Sequence, residues 1–134
     1  MPLTEEDGLR AYCKMLNSLR VDAIEHLLAD DFIYESQQVI QPLASRQQFL
    51  DYIRPKLETI ARIKATVCAE MGSINAYGRH QPCAVLAQGD KSNLVGIVIA
   101  KVSGDKLARL DLCIVPPPEA APRTGDYPTM PNTA

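Results

Sequence analysis

Past residue 63 the sequence falls into strand-length runs at 64–71, 77–88, 94–102 and 106–115. Turn signals separate them at Gly72-Ser73, Gly89-Asp90 and Ser103-Gly104-Asp105. Connections this short cannot carry a crossover, so consecutive strands pair antiparallel. A chain committed to such a sheet needs helices to cover one face, and the first 63 residues must supply them. The expected fold class is α+β, with a curved, mainly antiparallel sheet folded around three N-terminal helices.

The helices have their own signals. Thr4 is a good N-cap, and Glu5, Glu6 and Asp7 suit the positive end of a helix dipole. Leu9, Tyr12, Cys13, Leu16 and Leu19 then recur at helical spacing, and Asn17-Ser18 ends or loosens that helix. Asp22 can cap a short second helix that buries Ile24, Leu27 and Leu28 and stops before Asp30-Asp31. Residues 32–39 alternate as a strand, with Phe32, Tyr34, Ser36 and Gln38 on one face and Ile33, Glu35, Gln37 and Val39 on the other. Pro42 stops it. Ser45 and Gln48 have capping-box spacing and open a third helix, with Phe49, Tyr52, Ile53, Leu57 and Ile60 inward. Pro55 should kink that helix or split it after Ile53.

At 134 residues the chain fits one domain with a core large enough to hold without metal or disulfide. Six of the ten prolines fall in 116–134, which marks a domain over 1–115 and an extended Pro-rich tail, mobile unless it docks on a neighbour. Fourteen basic and sixteen acidic residues leave a net charge of −2 without a basic stripe, so no nucleic-acid partner is expected. No apolar run approaches the roughly 18 residues of a membrane span, so no membrane partner is expected either. The acidic start Thr4-Glu5-Glu6-Asp7 does not read as a secretory leader, and the expected location is cytoplasmic. Cys13, Cys68, Cys83 and Cys113 are spread through apolar stretches, far from His26 and His80. They read as buried free thiols, with no metal site and no cofactor expected.

The segments 12–17 and 21–32, with the later Ser45, Arg46 and Phe49, resemble the nuclear transport factor 2-like superfamily. The resemblance covers about residues 5–60 and is closest to the bacterial branch of ketosteroid isomerases and SnoaL-like polyketide cyclases. It implies a cone whose mouth opens between helices and sheet, and a homodimer through the outer sheet face. This scaffold hosts enzymes, binding modules and assembly domains alike. Ketosteroid isomerases need a base beside the carbonyl and two donors to the enolate oxygen. Gapless comparison puts Tyr12 at the tyrosine donor, but Ser36 where the aspartate base belongs, and the second acid near Val98. Ser36 has no usable basicity at pH 7, and Glu35 points to the opposite face of the strand. The cyclases use an aspartate on the last strand, for which Asp111 is the nearest match. Alternation groups Asp111 with Arg109 and Cys113, opposite Leu110, Leu112 and Ile114.

Three readings follow. The leading one is a small-molecule-binding domain with an apolar pocket lined by Tyr12, Tyr34, Ser36, Tyr52 and Phe49, taking a small apolar molecule. The second is an isomerase, cyclase or dehydratase acting on a small apolar carbonyl compound, with Tyr12 as donor and Asp111 or Glu35 as base. The third is a dimeric structural or interaction module. His26 reads as a surface residue. His80 and Arg79 face opposite ways, and Glu35 and Arg46 could meet at the cone rim. Five of the seven aromatic residues (Tyr12, Phe32, Tyr34, Phe49 and Tyr52) fall on the elements expected to line the cone.

Overall fold

Helix α1 (Glu5–Ser18) begins with a full capping box: Asp7 N–H donates to the Thr4 hydroxyl and Thr4 N–H to the Asp7 carboxylate. The computed structural model describes residues 2–37 and 41–129. Two 3-10 turns, Val21–Ala23 and Glu25–Leu27, take the place of the expected second helix. Asp22 does not cap; its carboxylate accepts from Arg20 instead. Without a cap, this short segment does not close an α-helical turn. The chain enters β1 (Leu28–Ser36) earlier than expected. Gln38 and Val39, assigned by alternation to the same strand, lie outside the described residues.

Helix α2 (Arg46–Ile63) opens on Ser45, whose hydroxyl accepts from Gln48 N–H, while the Gln48 side chain reaches back to Ala44 N–H. Pro55 sits inside α2, and the helix is not split. Proline leaves the carbonyl four residues back without its helical donor, and Asp51 and Pro55 are both exposed, so water can take that role.

The sheet continues with β2 (Val67–Ala76), β3 (Arg79–Gln88), β4 (Leu94–Ser103) and β5 (Lys106–Cys113). Its order is β1-β5-β4-β3-β2, antiparallel except for the parallel β1–β5 pair. Gly72-Ser73, read as a turn, lies within β2; the hairpin instead turns at Tyr77-Gly78. Both turn residues have positive φ, 53° and 84°, as a two-residue type I′ connection requires. Gly72 is there for another reason. A Cβ on it would meet the Pro122 carbonyl oxygen at 2.8 Å, so the glycine admits a crossing backbone.

Strand alternation separates two cores. Leu9, Tyr12, Cys13, Phe32, Phe49, Ile53, Leu86, Val98 and Leu110 belong to the large cluster between the helices and the sheet. On the outer face Ile74, Cys83, Val85, Ile97, Ile99, Cys113 and Ala121 form a smaller one. The Pro-rich segment after β5 supplies Ala121 to that outer cluster and then passes the β2 edge. Met71 N–H donates to Asp126 O (2.9 Å), Thr124 N–H to Met71 O (3.3 Å) and Ser73 N–H to Pro122 O (3.3 Å). Beneath it Glu70, almost fully buried, accepts from Arg123 Nε and Gly125 N–H at 2.6 Å each and from the Tyr127 hydroxyl at 3.2 Å. Asn17, read as a helix terminator, is a clamp: its side chain bonds Ala69 on both backbone groups and donates to Pro128 O. The docked segment therefore ties the outer face, the β2 edge and α1 together. Among the described residues no helix is long and apolar enough to cross a membrane.

Candidate functional site

Cavities open on both faces of the sheet. The cone cavity, about 220 Å³, opens between the helices and the sheet. From α1 come Tyr12 and Leu16, and from α2 come Ile53, Lys56 and Ile60. The sheet adds Tyr34, Val67, Leu86, Gln88, Val95 and Leu112. Helical spacing explains the first two groups, since residues three or four apart share a face. Strand alternation puts Tyr34 inward beside Phe32 and Ser36, as the sequence indicates.

An aromatic column backs this cavity. Phe32 meets Phe49 edge-on at 5.1 Å, Phe49 meets Tyr34 at 5.3 Å, and Tyr34 stacks on Tyr52 at 5.8 Å. Burial pushes the Tyr12 phenol well above its ordinary ionisation range, and the neighbouring Tyr34 and Cys13 add to the effect. Tyr34 is raised too, first by burial and then by Tyr52, through its proximity and a hydrogen bond. Both phenols therefore stay protonated at neutral pH; the Tyr12 hydroxyl can be offered to a bound acceptor, while that of Tyr34 is engaged with Tyr52. A recess of about 30 Å³ beside them is lined by Tyr34, Ser36, Gln41, Leu43 and Tyr52. Of the expected ligand-binding set, Tyr12 and Tyr34 thus line the cone, while Ser36 and Tyr52 line the adjoining recess. Phe49 is fully buried behind Tyr34.

Lys56 was not singled out in the sequence, where a lysine on an amphipathic helix reads as a solvated residue. Its Nζ donates to the Tyr52 hydroxyl at 3.1 Å and lies 5.4 Å from the centre of the same ring. The one available signal was its spacing: it stands four residues after Tyr52, on the same side of α2.

On the outer face a cavity of about 480 Å³ collects Glu35, Arg79, Gln81, Lys101, Arg109 and Asp111 over a floor that includes Ile99 and Cys113. Arg109 Nε donates to Asp111 Oδ2 at 2.9 Å, its second nitrogen to Oδ1 at 2.9 Å, and it also pairs with Glu35. Arg79 is answered by Glu5 at 2.6 Å. Both candidate bases, Asp111 and Glu35, are brought together here and share one arginine. Tyr12 is on the other side of the sheet, so the structure does not place the three expected catalytic groups around one cavity. Glu35 and Arg46 do not meet; Arg46 donates to Glu25 O and sits 3.7 Å from its carboxylate. His26 is exposed, and His80 shares a 2.6 Å hydrogen bond with Asn75.

The cysteines behave as small apolar groups. Cys13, Cys83 and Cys113 are buried free thiols and Cys68 is half-buried. Burial pushes Cys13 and Cys83 up to about 12. Among the described residues no group of three His, Cys, Asp or Glu side chains is placed to hold a metal ion.

No protein-family model and no curated protein matches this sequence. Solved structures do. A protein from Sinorhizobium meliloti, whose name proposes a polyketide cyclase, superposes with a TM-score of 0.54 at 16% identity, over 77% of this chain and 90% of that one. A nuclear transport factor 2-like protein of unknown function from Cytophaga hutchinsonii gives 0.55 at 10% identity, over 84% and 91%. The chain therefore has the nuclear transport factor 2-like fold. At these identities the likeness is one of architecture, and activity has to be argued from the cavities.

Proposed function

We propose that this chain is a small-molecule-binding domain whose ligand occupies the cone between α1, α2 and the sheet. The observation that carries this reading is the cone cavity itself: a predominantly apolar wall interrupted by the two buried phenols Tyr12 and Tyr34. An apolar wall with a few placed polar groups is the usual composition of a ligand site. At about 220 Å³ the cavity is smaller than the roughly 300–1,000 Å³ of drug-sized sites, so the ligand is compact.

The test is calorimetric titration with 4-phenylbutan-1-ol, a neutral probe with an apolar body and one hydroxyl. Saturable binding is expected, and Ile60→Trp, which fills the cavity from the α2 side, should abolish it while leaving the circular dichroism spectrum unchanged. Binding that survives Ile60→Trp would place the ligand elsewhere and defeat the proposal.

A further inference from the structure

We propose that the cone ligand is a monocarboxylate with a compact apolar body, whose carboxylate is received by Lys56 Nζ while its body lies against Ile53, Ile60 and Leu86. This rests on the cone being the binding site and names the class of molecule it takes. The cavity wall includes no aspartate or glutamate; apart from the two phenols, its polar members are Lys56 and Gln88. Tyr12 and Tyr34 are neutral where they stand, so the wall carries a single positive charge. Its one described hydrogen bond is to the Tyr52 hydroxyl, which uses one of three ammonium donors.

In the outer cavity two of the three cations are answered internally, while Lys101 forms no ion pair among the described residues. There Arg79 meets Glu5, and Arg109 meets both Glu35 and Asp111. Among the described residues no carboxylate forms an ion pair with Lys56, so the cone leaves its cation to the ligand. Lys56 is an exposed member of the cone wall, so a neutral hydrocarbon in the cone leaves its charge to water. A carboxylate there adds a charge-assisted hydrogen bond that a neutral group cannot match. The ammonium is also held in position. Tyr52, to which it bonds, stacks on Tyr34, which in turn packs on Phe49, so the donor is anchored to the buried aromatic column.

The experiment compares 4-phenylbutyrate with 4-phenylbutan-1-ol, the same skeleton with and without the charge, by calorimetry at pH 7.5 and low salt. The native chain should bind the acid about tenfold more tightly than the alcohol. Lys56→Met should bring the two to near-equal affinity, and Lys56→Arg should keep the preference. Equal affinities in the native chain, or a preference for the acid that persists in Lys56→Met, would overturn the carboxylate assignment and leave the cone site standing. If neither probe binds saturably, the cone reading falls and takes this proposal with it.

Discussion

The two faces of the sheet solve the problem of polarity in opposite ways. Between sheet and helices, polar function is carried by phenols kept protonated by burial, beside one lysine at the wall. On the outer face it is carried by full charges, among which Arg109 pairs with both Asp111 and Glu35. The cone cavity is the smaller of the two and the less charged.

The comparison can be broken most directly by deleting a side chain on each face. Phe49→Ala removes the fully buried ring that joins Phe32 to Tyr34 and should cost about 3–5 kcal/mol in urea unfolding. Arg109→Ala removes a partly exposed ion-pair network and should cost no more than about 1 kcal/mol. If the two losses were equal, the outer network would be structural cement and the contrast would fail. An intermediate effect is expected at Gly72→Ala, whose new methyl would press on the Pro122 carbonyl oxygen. About 1–3 kcal/mol should be lost, together with faster proteolytic cleavage within 116–129. Cleavage at the native rate would show that the crossing segment is not held at Gly72.

A further effect concerns the thiols, one in each core. Unfolded thiols ionise near about 8.5, whereas burial holds native Cys13 and Cys83 up to about 12. Between those values the native state binds more protons than the unfolded chain, so stability falls as pH rises through that window. Denaturation at pH 10 should thus give a lower midpoint than at pH 8. Iodoacetamide at pH 8 should leave both thiols unmodified in the folded protein. Alkylation of Cys83 but not Cys13 would show that the outer core opens more readily than the cone.

Much of this architecture was written in local pattern. The Thr4 and Ser45 caps, the inward Tyr34 and the antiparallel run of strands need only neighbouring residues to be read. Asp111 likewise falls with Arg109 and Cys113, as alternation groups them. What was hidden depends on distant partners. Gly72 looked like a turn because the Pro122 carbonyl that requires a glycine lies far along the chain. Asn17 looked like a helix breaker because Ala69 and Pro128, which it clamps, belong to other elements. Glu35 could be matched to Arg46 as easily as to Arg109, since opposite charges carry no address until the sheet brings one of them near. Lys56 was missed for the same reason: no local pattern shows that it borders the cone.

The segment that crosses Gly72 has one more effect. A five-stranded open sheet has two edges, and each edge presents unpaired amides and carbonyls on which another chain can add a strand. Residues 122–126 occupy those groups along β2, and Leu43 exchanges two backbone hydrogen bonds with Tyr34 on β1. Both borders are thus closed at those points by pieces too short and irregular to act as templates themselves. Removing the chain beyond Val115 would reopen the β2 border and uncover Glu70 beside it, turning a self-contained sheet into one that invites chain-to-chain pairing.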